Sequence, residues 1–124
     1  MSDFKLTYAT MFDPPEELHT RFEEALVKVK ASLGREHGMI VNGKDVFSSN
    51  KFEDRNPADT GMVLGIFQEG DAEYAEQALA AARAAFPKWS HMKWQERVAL
   101  LRKAAEEIDR RMFEIGAVMA MEVG

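Results

Sequence analysis

The segment Gly38–Lys44 contains the residues whose types and spacing could support phosphate chemistry. It has the G-x-x-x-x-G-K spacing of a phosphate-binding loop, in which backbone N–H groups and the lysine hold the phosphates. Such a loop continues with Ser or Thr to coordinate Mg²⁺, but Asp45 stands there and would repel phosphate. Because Asn42 and Gly43 tolerate the positive φ of a tight turn, a β-hairpin is the favoured interpretation.

Three histidines are the next candidates for catalysis or metal binding. No two of them stand four residues apart with a carboxylate between, so the sequence predicts no metal-binding helix. We expect His19, His37 and His91 to occupy surface or capping positions. The chain has no cysteine, which excludes disulfides, thiolate metal sites and a cysteine nucleophile within it.

A charged run ending at Arg111 could supply paired carboxylates for acid–base catalysis. Arg110 stands four residues after Glu106, and Arg111 stands four after Glu107, which is the spacing of ion pairs along one helix face. Acid–base catalysis would also require a pocket, which the sequence does not indicate. A solvent-exposed helix face is therefore the main interpretation.

The composition is that of a globular protein with an excess of acidic residues. The 124 residues are 46% hydrophobic and include 16 Lys and Arg and 21 Asp and Glu, for a formal net charge of −5. No basic cluster stands out, so we expect no nucleic-acid binding. No apolar run has membrane-spanning length, and the N-terminus lacks the pattern of a secretory signal. We therefore expect a cytoplasmic protein with no membrane partner, of ordinary single-domain length.

Apolar periodicity predicts a first helix over residues 14–33. Asp13 can cap it, Pro14 suits its first turn, and Gly34 is its expected end. Its apolar stripe consists of side chains three and four residues apart, namely Leu18, Phe22, Ala25, Leu26, Val29 and Leu33.

Two further helices are predicted in the second half of the chain. One covers residues 72–86, with Asp71 as its N-cap and Pro87 as its end. The other covers 94–123 as one continuous rod of about 45 Å, which needs a broad surface such as a sheet to lie against. Its predicted buried face consists of Val98, Leu101, Ala105, Ile108, Met112, Ile115 and Met119.

The segments between the helices read as β-structure. We predict a hairpin over about 39–47 and strands over about 51–56 and 62–67. Gly65 inside the last strand indicates a bulge or close backbone packing, and the glycines from 61 to 70 are spaced too loosely for a dinucleotide-binding fingerprint. The chain alone is therefore predicted to be α+β, with three long helices plus β-hairpin strands.

This order of elements resembles the first part of the aldehyde dehydrogenase superfamily. The resemblance covers residues 39–124 and includes the hairpin Ile40–Lys44, the turn at Asn56 and Pro57, and both later helices. The proline-started first helix, Leu33–His37 and Lys51–Pro57 resemble one branch, the 1-pyrroline-5-carboxylate (L-glutamate γ-semialdehyde) dehydrogenases. The resemblance implies an α/β parent with the aldehyde dehydrogenase fold and a Rossmann-like nucleotide-binding domain.

The resemblance also implies a function and a place in the parent. Residues 1–38 would be an N-terminal extension, and residues 39–124 the truncated start of the nucleotide-binding domain. The parent would use NAD to oxidise L-glutamate γ-semialdehyde to glutamate in proline catabolism, as a homo-oligomer whose remaining chain is the partner of this segment. The family's catalytic cysteine and glutamate lie beyond this chain, so we assign no catalytic, cofactor-binding or metal-binding residue and expect the fragment to be inactive alone.

A monovalent cation site is a further implication of the resemblance. Many members of the family hold such a cation through main-chain carbonyls, which here would belong to Arg55 and Glu122. The positive side chain of Arg55 does not favour a cation nearby. We favour the interpretation that both are ordinary chain positions.

Two other classes of function remain open. Met112, Met119 and Met121 could line the groove of a small non-catalytic α+β interaction protein related to aldehyde dehydrogenases, although Met also fills gaps in cores. A degenerate relative that regulates an intact enzyme is the other alternative. We favour the enzyme fragment, with the methionines in core contact with a missing sheet and with Trp89 and Trp94 packed at the corner between the second and third helices.

Overall fold

The computed structural model describes residues 8, 12 and 14–124, so the predicted cap Asp13 lies outside the described residues. Four helices and five short strands make up this part of the chain. In order, they are α1 Glu16–Lys30, β1 Arg35–His37, β2 Met39–Val41, β3 Lys44–Val46, β4 Lys51–Arg55, β5 Val63–Gln68, α2 Ala72–His91, α3 Trp94–Arg110 and α4 Met112–Val123. The predicted α+β class is confirmed.

The strands form two small sheets. In the first, β5 is central, with β1 parallel to it on one side and β4 antiparallel on the other. The second sheet is the hairpin of β2 and β3. Asn42 and Gly43 both have positive φ, at 52° and 72°, which confirms the predicted hairpin turn. Strand β1 was not predicted, because three exposed polar residues carry no alternation and pair with a strand distant in sequence.

A glycine in β5 allows aromatic rings to cover the sheet. A Cβ on Gly65 would lie 2.8 Å from Phe67 Cε2 and 3.2 Å from His37 Cδ2. The rings of His37 and Phe67 stack with centroids 5.0 Å apart, and Phe52 follows Phe67 at 5.9 Å. Of the two predictions for Gly65, the bulge is supported, because the pairing of β4 with β5 shifts register between Asp54–Gly65 and Arg55–Val63. The close contacts at Gly65 are with side chains and not with backbone.

The buried core lies where the first and last helices meet. Helix α4 packs on α1, and the buried apolar residues of the described chain are Ala25, Val29, Ala117 and Met121. Partly buried side chains from α1, α4 and the sheet surround them: Phe22, Leu26, Leu33, Met62, Leu64 and Phe113. The predicted stripe of the first helix is thus buried mainly by α4.

Helix α1 is shorter than predicted at both ends. Pro15 is its extended N-cap, with φ −64° and ψ 149°. Pro14 stays outside the helix because it precedes a proline, which keeps it out of the helical region. At the other end, Gly34 has φ +72° and donates its N–H to the Leu64 carbonyl at 3.1 Å. The chain therefore leaves the helix in order to join the sheet.

Helix α2 does not end at Pro87 but continues to His91. Proline removes one helical hydrogen bond, yet its fixed φ is itself helical. The Pro87 carbonyl is engaged by the side chains of the last turn, with Ser90 Oγ donating at 3.2 Å and His91 Nδ1 at 2.7 Å. The other end is as predicted, because Asp71 Oδ1 accepts from the N–H groups of Glu73 and Tyr74.

The predicted rod over 94–123 is divided into α3 and α4 at Arg111. This residue has φ −102° and ψ 12°, and its N–H is shared between the carbonyls of Glu107 and Ile108. The kink directs α4 along α1, where Ala117 becomes fully buried. The periodic pattern concealed the kink because the apolar residues recur on both sides of it.

Helices α2 and α3 contain no buried residue, although both have apolar faces. The predicted buried face of the third helix is therefore uncovered along α3. The chain has an accessible surface of 9947 Å², whereas a compact monomer of its 14.0 kDa mass would expose about 6,700 Å². None of the helices in the described ranges has both the length and the apolar character required to cross a membrane.

Candidate functional site

The glycine-bounded segment is a hairpin and not a phosphate loop. Its middle residues belong to β2 and the turn, and Lys44 begins β3. A Cβ on Gly38 would lie 2.9 Å from Asp45 Cβ, so this glycine allows the aspartate to pack against the chain. The carboxylate therefore occupies the place where a phosphate loop needs an open nest of N–H groups.

His37 belongs to a polar network at the edge of the sheet. Gln68, the buried polar residue of β5, donates its amide to the His37 carbonyl and to Glu36 Oε1, both at 3.0 Å. Its own Oε1 accepts from the Ser48 N–H at 2.9 Å. Lys51 Nζ lies 2.8 Å from Glu36, and its hydrogen bond, followed by that of Gln68, lowers the pKa of the Glu36 carboxyl. The Gln68 amide uses both of its hydrogens and its oxygen, so it links β1, β5 and the segment at Ser48.

The other two histidines are exposed, as predicted. His19 lies on the outer face of α1, and His91 is in the last turn of α2. Among the described side chains, Ser90 Oγ lies 3.3 Å from His91 Nδ1, and none of the described carboxylates bonds to this ring. Within the described part of the chain, neither histidine has the nucleophile and orienting group that general-base catalysis requires.

The charged run forms ion pairs three residues apart, and the predicted pairs four residues apart are wrong. Arg110 pairs with Glu107, and Arg111 pairs with Glu114 across the kink. These bonds lower the pKa of both carboxyls and raise that of both guanidinium groups, each through its hydrogen-bonded partner first. Positions three residues apart are neighbours on a helix surface, as are positions four apart, and here the pairs at three are the ones formed.

A groove between α1 and the kink gathers positive charge. It has a volume of about 530 Å³. Its wall includes two carboxylates, Glu24 and Glu114, and the ring of Phe113, over which the Arg21 guanidinium lies at 4.8 Å. We call it the basic groove, after the five cationic side chains that line it: Arg21, Lys28, Arg35, Arg110 and Arg111.

The basic groove was missed at the level of sequence, where no basic cluster stands out. A signal was present, because Arg21, Lys28 and Arg35 are seven residues apart and so lie along one side of α1 and the turn after it. The arginines of the kink complete the groove from about 75 residues away. No local sequence pattern can show that these arginines lie near α1, since their position depends on how α4 packs on α1.

A second cavity of about 280 Å³ continues the basic groove towards the sheet. It lies between α4 and the strand residues His37, Asp54 and Phe67. The two cavities share the side chains of Val29, Ser32, Arg35, Arg111 and Glu114. Arg35 and Arg111 therefore stand at the junction of one continuous depression.

The two segments of the implied cation site lie next to each other. Gly124, after the end of α4, is so close to the turn that a Cβ on it would lie 2.8 Å from Pro57 Cγ. The Arg55 side chain is held by Glu53 and donates to the Thr60 carbonyl at 2.7 Å. Across residues 14–124, no group of three or more His, Asp and Glu side chains could hold a metal ion. The favoured interpretation, that Arg55 and Glu122 are ordinary chain positions, stays a prediction.

The methionines that the alternative interpretation placed in one groove lie in different surroundings. Met121 is 7% exposed and packs in the core between α1 and α4, whereas Met119 is 56% exposed. A single methionine-lined groove is therefore not formed, and the core contact of Met121 is with α1. Trp89 and Trp94 are exposed, so the prediction that they pack at the helix corner is wrong, because α2 and α3 do not cover them.

Comparison with known proteins places these observations in a family. The family model described as "Aldehyde dehydrogenase family" matches residues 46–124. The chain is 37% identical over 103 residues to 1-pyrroline-5-carboxylate dehydrogenase 2 of Bacillus subtilis, and 39% identical over 103 residues to the 1-pyrroline-5-carboxylate dehydrogenase of a Geobacillus species. Each match covers 83% of this chain and 20% of the relative, so the chain spans about a fifth of the length of these relatives.

Solved structures give the same result for the fold. A mutant form of the Thermus thermophilus 1-pyrroline-5-carboxylate dehydrogenase superposes with a TM-score of 0.84 at 31% identity, over 94% of this chain and 22% of that one. A Thermus 1-pyrroline-5-carboxylate dehydrogenase with bound NAD superposes with a TM-score of 0.83 at 30% identity, with the same coverage. The arrangement of α1, the strands and the later helices is thus that of the N-terminal portion of these enzymes.

Proposed function

The chain belongs to the aldehyde dehydrogenase family, and we propose that it is the N-terminal part of an NAD-dependent dehydrogenase that oxidises L-glutamate γ-semialdehyde to glutamate. The semialdehyde arises when 1-pyrroline-5-carboxylate opens, so the reaction would belong to proline catabolism. We place the parent in the cytoplasm as a homo-oligomer. The observation that carries the proposal is that the identity to 1-pyrroline-5-carboxylate dehydrogenases extends over 83% of the chain.

The proposed role of this segment is to build the scaffold and not to perform the chemistry. The chain has no cysteine to act as the family's nucleophile. NAD, when bound to the parent, would accept the hydride from the substrate. The described residues contribute the α1–α4 core and the small sheets, with residues 1–38 as an extension and residues 39–124 as the start of the nucleotide-binding domain.

The uncovered faces of α2 and α3 support the proposal that the remaining dehydrogenase chain packs against this segment. Phe86, Leu101 and Ile108 are all exposed, and the accessible surface exceeds that of a compact monomer by about half. Apolar faces of this extent on a water-exposed protein mark contact surfaces. A separate interaction protein with a methionine-lined groove has less support, because Met121 is buried against α1.

The proposal is tested by isolating the protein from its source and measuring its intact mass and activity. We expect a mass several times the 14.0 kDa of this chain, with these residues at its N-terminus, and NADH formation with L-glutamate γ-semialdehyde. Propionaldehyde, which lacks the amino-acid group, serves as the control substrate and should react much more slowly. An intact mass of 14.0 kDa for the protein from that source would overturn the fragment proposal.

A further inference from the structure

The basic groove differs in charge from the rest of the chain. The sequence is acidic, with 21 Asp and Glu against 16 Lys and Arg. The lining of the groove reverses this ratio, with five cationic side chains and two carboxylates. Because like charges in a concavity raise one another's energy, an oppositely charged occupant would lower the free energy of this surface.

Most of these cations already have an anionic or aromatic partner. Arg110 and Arg111 pair with glutamates, and Arg21 lies 3.5 Å from Glu17 and over the Phe113 ring. The cations without a carboxylate partner among the described side chains are Lys28 and Arg35. The one hydrogen bond from the Arg35 side chain to a described residue uses Nε, which donates to the Ser32 carbonyl at 3.1 Å. This bond fixes the guanidinium at the groove and leaves its terminal nitrogens for another acceptor.

We propose that the basic groove binds a small polyvalent oxyanion, with Lys28 and Arg35 as its direct contacts and Arg111 on the opposite wall. The groove has the volume of a small-molecule site, at about 530 Å³. Its positive groups come from α1, from the turn after it and from the kink, so they surround the occupant from more than one side. Arginine supplies the fork that phosphate and carboxylate groups accept, and lysine supplies a point charge.

The neighbouring Lys30 provides a matched control for the role of Lys28. Both lysines lie in the last turn of α1, where either one offsets the negative end of the helix dipole. Lys28 lines the groove, and Lys30 does not. If Lys28 served the helix end alone, the two lysines would be interchangeable in every binding measurement.

The test is isothermal titration calorimetry of the full-length protein at low ionic strength, with inorganic pyrophosphate and citrate as the probes. We expect saturable binding of at least one probe. Lys28→Gln should weaken it about tenfold, the typical worth of a hydrogen bond to a charged group, while Lys30→Gln should leave it within about threefold. Arg35→Gln should weaken binding as much, and Arg35→Lys should restore only part of it, because lysine keeps the charge but lacks the fork. Lys28 and Lys30 make no hydrogen bond that supports the described fold, so their variants should keep the native circular dichroism spectrum.

Each outcome decides the proposal. Binding of pyrophosphate alone would identify a phosphate-bearing ligand, and binding of citrate alone a carboxylate. Amide chemical-shift changes under titration should include Lys28, Arg35 and Phe113. No saturable binding of either probe, or equal losses in Lys28→Gln and Lys30→Gln, would overturn the site, because the second result would reflect net charge alone.

Discussion

Helices α1 and α3 have similar amphipathic sequences but lie in opposite surroundings. Helix α1 buries Ala25 and Val29 against α4, whereas α3 buries nothing and leaves Leu101 63% exposed. The difference does not come from the helices themselves, since both present apolar residues at spacings of three and four. An apolar stripe specifies that a face will be covered, and only the rest of the protein specifies what covers it.

The largest expected effect on the free energy of unfolding comes from truncating a side chain that is buried between α1 and α4. Met121→Ala should reduce the free energy of unfolding by about 2–4 kcal/mol, because it leaves a cavity between α1 and α4. Met119→Ala, two residues away and exposed, should change it by less than about 0.5 kcal/mol. Urea denaturation of the 124-residue chain measures both. Equal effects of the two variants would show that α4 is not packed on α1.

A second variant tests whether the apolar face of α3, which is exposed in the 124-residue chain, is covered in the full-length protein. Leu101→Ala should change the stability of the 124-residue chain by no more than about 0.5 kcal/mol. In the full-length protein, where we propose that the remaining chain covers this face, the same change should cost about 2 kcal/mol. Denaturation of both forms gives the comparison. A small effect in the full-length protein would mean that α3 faces water there too.

The third variant weakens α2 without touching a core. Asp71→Ala removes the acceptor for the Glu73 and Tyr74 N–H groups and should cost about 1 kcal/mol of helix stability. Because α2 has no buried residue, we expect faster amide exchange within α2 and little change in α1 or α4. Hydrogen exchange followed residue by residue checks this. Faster exchange throughout α1 and α4 would show instead that α2 and the α1–α4 core unfold together.

The smallest expected effect is a pH dependence at the sheet edge. The Lys51 and Gln68 hydrogen bonds lower the pKa of Glu36 in the folded chain, so its contribution to stability is complete above the carboxyl's ordinary pKa of 4.5. That contribution is lost as the pH falls through the lower, folded value. Glu36→Gln should flatten this acid limb of the stability curve, because the substituted amide has no carboxyl to protonate. Denaturation at a series of acidic pH values tests the difference.

The sequence revealed the elements whose signals are local. Asn42 and Gly43 defined the hairpin, Asp71 defined the start of α2, and the apolar run defined β5 within one residue. These features depend on backbone preferences that each residue carries with it. The resemblance to aldehyde dehydrogenases also rested on the order of such elements, and the family match confirms it.

The features that the sequence did not reveal depend on contacts between segments that are distant along the chain. Strand β1 exists because Gly34 directs the chain to β5, and the kink at Arg111 accompanies the packing of α4 along α1. The basic groove combines a seven-residue repeat of cations with arginines from that kink. Neither the pairing nor the kink changes the local pattern, so periodicity alone could not distinguish one long rod from two helices.

The packing of the last helix on the first has a consequence for synthesis on the ribosome. Helix α1 emerges with its apolar stripe complete, but Ala117 and Met121, which cover Ala25 and Val29, are made about ninety residues later. At typical elongation rates the stripe waits roughly 5 to 20 seconds for its partner. During that interval the nascent chain presents an uncovered apolar helix to solvent, and this is the kind of segment that a chaperone for nascent chains binds.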